Sequence, residues 1–289
     1  MLKAKFRGTT FSSLLHEIRF FLIDHGYSVE AAVLTDTPSC PSPAQPVPKP
    51  EKQVTVHSPI GASSMKRWRN CPGSVKLSEN QPSSAGIAAA EGTLAHEMAE
   101  SLFAGRAVSN EKTTMLDHVQ TYVEFIREET KDATYFGVEQ GFALIRINPK
   151  LFGTCDVVAY WADQKLLRIY DLKYGKTTVD PEENDQLLYY ALGALQTFEF
   201  HVEEIELVIY QPRKPVKGEI IRRWRFNTYP KMNDFASMLY TAAKATELPN
   251  AELHAGDWCF WCNARNICPV KRDEKMEKSL DYFADIVGE

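Results

Sequence analysis

Apolar side chains recur at helical spacing in the first half of the chain. In AAAEGTLAHEMAESLFAG (88–105), Leu94, Met98 and Leu102 fall on one face, which predicts an amphipathic helix. MLDHVQTYVEFIREET (115–130) has the same kind of pattern and predicts a second helix.

Three further helices are predicted, two of them from residues that typically begin or end a helix. SSMKRWRN (63–70) starts with a serine cap and precedes a proline, so we expect a short helix. In VDPEENDQLLYYALGALQTF (179–198), Asp180 is the expected cap and Pro181 lies in the first turn, followed by two glutamates at the positive end of the helix dipole. Another helix is expected over 231–247.

Runs rich in β-branched and aromatic residues predict strands between these helices. The runs are ALIRI (143–147), CDVVAYW (155–161), LLRIYDLKY (166–174), IELVIYQP (205–212) and IIRRWRF (220–226). The polar segment ADQK joins the second run to the third and predicts a hairpin. A few strands enclosed by helices predict an α/β or α+β domain.

Proline content divides the chain of 289 residues. Residues 36–52 hold six of the 16 prolines and are expected to form an extended linker. The linker separates a short helical N-terminal extension (1–35) from a main domain (53–289).

Charge and hydropathy narrow the class of protein. The formal net charge is −5, so a simple basic nucleic-acid coat is excluded and any DNA contact must use local patches. No apolar run reaches the roughly 18 residues of a membrane span, and the N-terminus lacks the features of a signal peptide. We therefore expect a cytoplasmic protein without a membrane partner, whose six cysteines bind metal or pack in the core.

An acid and a base end one of the predicted strands. Asp171 and Lys173 are two positions apart and face the same side, while Asp156 begins the strand across the hairpin. Two facing carboxylates repel each other unless a cation lies between them, and their hard oxygens suit Mg²⁺ or Mn²⁺. The alternative is an ordinary surface Asp–Lys pair.

Three more polar side chains accompany this cluster. Gln186 and Tyr190 are four residues apart and share a helix face. His96 lies on the side of its helix away from the apolar stripe. Taken singly, a solvated histidine or a core tyrosine is the alternative explanation for each.

The order of these residues resembles the RecB-like branch of the PD-(D/E)xK nucleases. The matching motifs are GTLAH (92–96), GTCD (153–156), DLK (171–173) and QLLYY (186–190). The resemblance implies an α/β nuclease core with a central mixed sheet flanked by helices. It also implies a divalent metal bound by three side chains: His96, Asp156 and Asp171.

Roles for the remaining motif residues follow from the same resemblance. Lys173 would help to activate the attacking water, and Gln186 and Tyr190 would hold DNA or brace the site. Asp171 stands where many relatives have glutamate, so the position of the metal is expected to differ. A wider stretch, roughly 57–272, resembles an uncharacterised family of phage and prophage proteins.

Cysteines form a second motif near the C-terminus. Cys259, Cys262 and Cys268 have a C-x₂-C-x₅-C spacing typical of metal ligands. The fourth ligand would be Cys71, or else His254, which would imply zinc. One cysteine before the nuclease motifs and three after them resemble the iron–sulfur nucleases of the AddB and CRISPR-associated RecB-like types. That resemblance implies a 4Fe–4S cluster that joins the N- and C-terminal parts of the domain.

Basic residues suggest where DNA would lie. One patch surrounds Trp68, and a second, RKPVKGEIIRRWR (213–225), includes Arg222 and Arg223. The tryptophans Trp68 and Trp224 are candidates to stack on unpaired bases, or else they belong to the core.

Together these features predict a Mg²⁺- or Mn²⁺-dependent exonuclease acting on single-stranded or frayed DNA ends. Its expected partners are proteins of phage replication or recombination. The alternative is a catalytically weak DNA-binding or assembly protein that keeps the nuclease fold, and a zinc-binding interaction module is a third possibility.

Overall fold

The computed structural model describes residues 58–82, 86–108 and 113–271. The predicted N-terminal extension and the proline-rich linker lie outside these residues. The helices are α1 Met65–Asn70, α2 Ser74–Leu77, α3 Ile87–Phe103, α4 Thr113–Glu129, α5 Asp185–Thr197 and α6 Thr228–Thr246. The strands are β1 Tyr135–Ala143, β2 Phe152–Trp161, β3 Leu166–Leu172, β4 Glu204–Tyr210 and β5 Ile221–Asn227. None of the described helices is both long and apolar enough to span a bilayer.

The five strands form one mixed sheet in the order β1-β2-β3-β4-β5. Neighbouring strands are antiparallel except β3 and β4, which run parallel. Helix α5 makes the crossover that a parallel pair requires. The predicted mixed α/β architecture is therefore confirmed.

Both faces of the sheet are covered by helices. Helices α3 and α4 pack on one face and contribute Met98, Val119 and Ile126 to a core cluster with Tyr170 and Tyr210. Helix α5 covers the opposite face, and its residues 187–195 are all buried. Each fully buried leucine of such a helix contributes about 1.5–3 kcal/mol.

One predicted strand is wrong. ALIRI (143–147) contributes only Ala143 to a strand, because the chain turns at 145–147 and the side chain of Ile145 is 68% exposed. Strand β1 instead occupies Tyr135–Ala143. Its two glycines, Glu139 and Gln140 weaken the strand signal in the sequence.

Two predicted helix caps are also wrong. Helix α5 begins at Asp185 rather than near Asp180, and its cap is Asn184, whose side chain accepts hydrogen bonds from the backbone N of Gln186 and of Leu187. Residues 180–183 form an irregular segment in which Glu183 has a φ of 52°. The hydroxyl of Ser64 donates to the carbonyl of Gly61 and does not cap α1.

Candidate metal centre and cysteine cavity

Two carboxylates meet where β2 and β3 pair. The ladder between β2 and β3 ends with Val157 opposite Tyr170, and Asp156 and Asp171 are the next residues of the two strands at this end of the hairpin. Oδ2 of Asp156 accepts a hydrogen bond of 2.8 Å from the backbone N of Leu172. The backbone of β3 thereby fixes the Asp156 carboxylate at the end of the hairpin.

Two further side chains approach Asp156 from a helix and from a strand. Nδ1 of His96, on α3, lies 3.3 Å from Oδ2 of Asp156. Glu139 lies opposite Asp156 on β1, between the paired positions Val138–Val157 and Gln140–Cys155. One ligand atom from each of His96, Glu139 and Asp156 lies within 4.8 Å of the others, and all three residues are half-buried.

Glu139 is the member of this group that sequence reasoning missed. Its position depends on the register of β1, a strand that the sequence pattern did not predict. The only signal was an acidic residue within YFGVEQGF, and such residues are common in edge strands. A nitrogen donor with two carboxylates is a donor set that suits Mg²⁺, Mn²⁺ or a harder transition metal.

Asp171 is not part of that three-residue group and instead contacts Lys173. Nζ of Lys173 donates to Oδ1 of Asp171 at 3.0 Å and lies 2.8 Å from Oδ2 without hydrogen-bond geometry. The side chain of Asp171 is only 1% exposed, and its Oδ2 has no hydrogen-bond partner among the described residues. The cation nearest to this buried oxygen is the Lys173 ammonium, whose charge offsets part of the cost of burying the carboxylate.

Helix α5 holds Lys173 from its other side. Oε1 of Gln186 accepts a hydrogen bond of 2.8 Å from Nζ of Lys173. Tyr190, one turn further along, is buried and hydrogen-bonds to Gln186, and its ring packs against the backbone at Gly153. The residues at 96, 156, 171, 173, 186 and 190 therefore gather at one end of the β2–β3 hairpin.

The protonation states reflect this crowding. Burial disfavours the charged imidazole of His96, but the charge and hydrogen bond of Asp156 outweigh it and raise the pKa of His96 to about 9. Burial likewise opposes ionisation of Asp156, yet His96 and Lys173 lower its pKa. For Asp171, burial and the charge of Asp156 raise the pKa against the opposing effect of Lys173. The protonated imidazole of His96 therefore supplies positive charge beside the Asp156 carboxylate.

The loop after Lys173 is held by a buried glutamine. Gln211 is fully buried, and its Nε2 donates to the carbonyls of Gly175 and Thr177 at 2.9 and 2.8 Å. Its Oε1 accepts from the backbone N of Val179 and from Arg222. Arg222 also donates to the carbonyl of Val179, and its side chain is 10% exposed, so it braces this loop rather than presenting a cation to solvent.

The other basic residues proposed for DNA are mostly engaged in ion pairs. Arg223 contacts Glu129 and Glu206, although about a third of its side chain is exposed. Trp68 is fully buried and cannot stack on a base. Trp224 is half-buried beside Lys231.

The four cysteines of the predicted cluster line one narrow cavity. Cys71 comes from the end of α1, and Cys259, Cys262 and Cys268 come from the C-terminal segment. The cavity has about 10 Å³ of water-accessible space in this structure. Within the described residues, no three of the sulfurs lie within 4.8 Å of one another. A single zinc ion at Zn–S distances of about 2.3 Å would hold sulfurs roughly 3.8 Å apart.

Backbone contacts join the C-terminal segment to α1 and α2. The backbone N of His254 donates to Sγ of Cys71 at 3.3 Å, and the backbone N of Gly73 donates to the carbonyl of Glu252 at 2.8 Å. A Cβ at Gly73 would lie 2.4 Å from the carbonyl oxygen of Ala251, so only glycine permits this approach. The two ends of the described domain therefore meet at the cysteine cavity.

Fold and site together define an α/β protein with a candidate divalent-metal centre at one end of a mixed five-stranded sheet. The chain belongs to the family described as a protein of unknown function (DUF2800), which it matches over residues 57–286. That match covers most of the chain.

Solved structures of exonucleases share a distant likeness with the chain. An alkaline exonuclease (LHK-Exo) from Laribacter hongkongensis is 12% identical, with a TM-score of 0.28 over 63% of this chain and 94% of that one. LHK-Exo in complex with dAMP is 12% identical, with a TM-score of 0.31 over 64% of this chain and 90% of that one. A phage-related exonuclease from Haemophilus somnus 129PT is 13% identical, with a TM-score of 0.29 over 61% and 92%. Likeness at this level assigns neither an activity nor site residues to this chain.

Proposed function

We propose that this protein is a divalent-metal-dependent deoxyribonuclease that acts as an exonuclease on single-stranded or frayed DNA ends. One observation carries the proposal. Ligand atoms of His96, Glu139 and Asp156 lie within 4.8 Å of one another, beside a buried Asp171 whose carboxylate is paired with Lys173. Carboxylates that converge on a lysine at the end of a hairpin are suited to binding a metal and a phosphodiester together.

The residues present fit a divalent ion. His96, Glu139 and Asp156 would supply nitrogen and oxygen donors, and the nearby carboxylate of Asp171 would add negative charge beside them. A bound Mg²⁺ or Mn²⁺ would supply Lewis-acid stabilisation of the charge that develops on the scissile phosphate. The hydrogen bond from Leu172 would keep the Asp156 carboxylate oriented while ions and DNA exchange.

Lys173 would act on the attacking water and on the phosphate charge. Its ammonium is held by Asp171 and Gln186, so its direction is set by two elements, β3 and α5. A cation in a partly buried position stabilises developing negative charge more than one in bulk water does. Gln186 and Tyr190 would brace Lys173 rather than contact DNA directly.

The cysteine cavity is proposed to hold a 4Fe–4S cluster with a structural role. Cys71, Cys259, Cys262 and Cys268 provide four thiol donors around one space. In a 4Fe–4S cluster each thiolate binds a different iron, so the sulfurs lie further apart than around one zinc ion. The cluster would link the chain before the nuclease motifs to the chain after them.

Contacts to DNA are proposed for the surface beside the site. Arg223, which is partly exposed, would contribute a phosphate contact, whereas Arg222 would act indirectly by bracing the loop after Lys173. Proteins of phage replication or recombination are the proposed partners, in the cytoplasm of a bacterial host.

The nuclease proposal is tested with end-labelled single- and double-stranded DNA in Mg²⁺ or Mn²⁺. Asp156→Asn and Lys173→Met should each lower cleavage by a factor of about 10²–10⁴, the range that acid–base and positioning groups contribute. Glu124→Gln, at an exposed position of α4, is the matched control and should cleave like the wild type. Equal cleavage by all variants would refute the site. Binding in an electrophoretic shift without cleavage, across both metals and DNA forms, would favour the DNA-binding alternative.

A further inference from the structure

One cation of α1 lines the cysteine cavity. Arg67 lies among the lining residues, and its Nη1 donates a hydrogen bond of 2.7 Å to the hydroxyl of Ser74. Among the described residues, no carboxylate forms an ion pair with Arg67. A guanidinium is expensive to bury without a negative partner.

The neighbouring cations of α1 behave differently. Lys66 contacts Asp257 at 2.5 Å, and Arg69 contacts Asp185 at 2.8 Å. Both of these pairs join α1 to another part of the chain. Arg67 is therefore the basic residue of this helix that faces sulfur atoms instead of a carboxylate.

The sulfurs of the cavity are the available counter-charge. Burial lowers the pKa of Arg67, and negative charge on Cys262 and on Cys71 acts in the opposite direction. Neutral thiols provide no such charge, whereas thiolates do, and metal binding converts thiols to thiolates. Arg67 thus gains its full electrostatic partner only when the cysteines hold a metal.

The other charged residues of the cavity wall are also positive. Arg265 and Lys271 also line it, and the described lining residues include no carboxylate. Four thiolates carry more negative charge than a zinc ion or an iron–sulfur core supplies, so a metal–thiolate centre in this space would be anionic. A buried anionic centre requires positive charge beside it.

We infer that Arg67 is the charge partner of a metal–thiolate centre in the cysteine cavity, and that it controls how tightly the metal is retained. This rests on the proposed ligation by Cys71, Cys259, Cys262 and Cys268 and is independent of the nuclease activity. The anionic metal–thiolate centre would stabilise the buried Arg67 guanidinium, and the guanidinium would stabilise the centre, because their charges are opposite.

The experiment compares full-length variants purified without oxygen. Arg67→Met keeps the length of the side chain but removes the charge, and Arg67→Lys keeps a positive charge. Arg127→Met is the matched control, because Arg127 is exposed, donates to the carbonyl of Leu102 and does not line the cavity. Iron and zinc per chain, absorbance near 400 nm and the rate of metal loss to a chelator are measured, and circular dichroism verifies folding.

Arg67→Met should lose metal to the chelator about tenfold faster than wild type or more, because a buried charge pair is broken. Arg67→Lys and Arg127→Met should stay within about threefold of wild type. If the bound metal is an iron–sulfur cluster, Arg67→Met should also shift its midpoint potential to more negative values, since the reduced cluster carries the larger negative charge.

Three outcomes would overturn the inference. Wild-type retention in a folded Arg67→Met protein would show that the guanidinium charge is not needed. Equal loss from Arg67→Lys and Arg67→Met would assign the effect to shape rather than to charge. A wild-type protein without iron or zinc, but with cleavage activity, would remove the cysteine centre and leave the nuclease proposal standing. If Arg67→Met does not fold, Arg67→Gln replaces it, because the amide removes the charge and can still donate a hydrogen bond to Ser74; wild-type metal retention in that variant would equally overturn the inference.

Discussion

At Glu139 the backbone has a φ of 49°, a conformation that non-glycine residues rarely adopt. Such a residue costs about 1–3 kcal/mol unless its surroundings fix it. The strained position places Glu139 opposite Asp156 and within reach of His96. Two carboxylates and an imidazole are thus brought together at the expense of local stability, and backbone conformations of this kind occur often at functional sites.

We predict that Glu139→Gln weakens Mn²⁺ binding by about 10- to 100-fold, because one charged donor is replaced by a neutral one. The unfolding temperature of the metal-free protein should not fall, since the substitution also removes repulsion between Glu139 and Asp156. Titration calorimetry measures the affinity, and thermal melts in a chelator measure stability. Glu124→Gln should change neither quantity. Unchanged Mn²⁺ affinity in Glu139→Gln would exclude this residue from the centre.

His96 gives the centre a dependence on pH. Its pKa is raised to about 9, so below that pH a metal ion must displace a proton from the imidazole. The apparent affinity for Mn²⁺ should therefore rise with pH between about 6.5 and 9, by up to tenfold per unit, and level off above. The His96→Gln variant should bind Mn²⁺ weakly with a flatter dependence. Affinity that falls over this range in the wild type would contradict the prediction.

The same raised pKa has a consequence for stability without metal. Because the folded pKa of His96 exceeds its unfolded value, the His96–Asp156 pair contributes stability that is complete below about pH 6.5. That contribution is lost as the pH rises toward about 9. The affinity for the metal ion rises over the same pH interval. Metal binding therefore replaces the protonation of His96 as a source of stability when the pH increases.

At the scale of single residues, the sequence predicted most, but not all, of the polar side chains that gather at the candidate metal centre. Asp156, Asp171 and Lys173 could be placed together because an antiparallel hairpin brings the start of one strand beside the end of the next. Glu139 could not, because its place depends on the pairing of β1 with β2 and on a backbone conformation that has no signature in the residue type.

Among the elements, the loop between β3 and α5 depends most on one side chain. Gln211, which directly follows β4, makes hydrogen bonds to three backbone groups of residues 175–179. Because β3 and β4 are parallel, their C-terminal ends lie side by side, and Gln211 can hold the loop that leaves β3. The position of Lys173 is thereby supported from a neighbouring strand.

We predict that Gln211→Leu lowers the free energy of unfolding by about 2–3 kcal/mol, because buried backbone groups lose their partners. Denaturant unfolding measures this value. Gln120→Leu, at an exposed position of α4, should change it by less than about 0.5 kcal/mol. A loss no larger than that in Gln211→Leu would show that the loop does not depend on this side chain.

An ion pair connects helix α1 to the start of α5, next to the candidate metal centre. Nη1 of Arg69 lies 2.8 Å from Oδ1 of Asp185, the residue before Gln186 at the start of α5. Gln186 in turn holds Lys173. Helix α1 also carries Arg67 and leads to Cys71, so the cysteine cavity and the candidate metal centre share this element.

We predict that Arg69→Met and Asp185→Asn each reduce cleavage, and that the double variant cleaves no worse than the poorer single variant. The reason is that either change removes the same link to Gln186, and such residues act as a unit. Single-turnover cleavage rates measure the effect. Independent losses that multiply in the double variant would show that the two residues act separately.

Element-level predictions succeeded where pattern alone decides the structure. The hairpin of β2 and β3 and the helices α3 and α4 follow from periodicity, because their apolar faces are buried in one core. The start of α5 could not be predicted from the sequence pattern. Asp180 and Asn184 are both able to cap a helix, and only tertiary contacts determine which of them does so. ALIRI was predicted as a strand, but only Ala143 pairs with β2, because the chain turns at 145–147.

For the molecule as a whole, the contact between the C-terminal segment and α1–α2 closes the domain. The contact combines the hydrogen bond from His254 to Cys71, the close packing at Gly73 and the Lys66–Asp257 pair. The expectation that these two parts are joined came from the resemblance of the cysteine pattern to iron–sulfur nucleases. The sequence could not predict the backbone contacts, because they depend on a glycine and on carbonyl groups rather than on side-chain identity.

We predict that Cys259→Ser lowers the unfolding temperature of the anaerobically purified protein by about 5–10 °C, because a bound metal contributes directly to folding stability. Treatment of the wild type with a chelator should have the same effect. Hydrogen exchange should become faster in residues 251–268 before the sheet is affected. Cys40→Ser, in the proline-rich stretch, is the control and should melt like the wild type. An unchanged melting temperature after Cys259→Ser would mean that no metal is held there.

The order of these parts along the chain has a consequence for biosynthesis. A ribosome releases α1 with Cys71 first, then every strand of the sheet, and only afterwards the segment with Cys259, Cys262 and Cys268. Under the proposed ligation, the thiol of Cys71 would stay without its partner ligands until the whole sheet has been synthesised. Metal binding by the four cysteines would then be a last assembly step, and we expect a cell short of iron or zinc to accumulate chains that have a complete sheet but lack the metal link between their two ends.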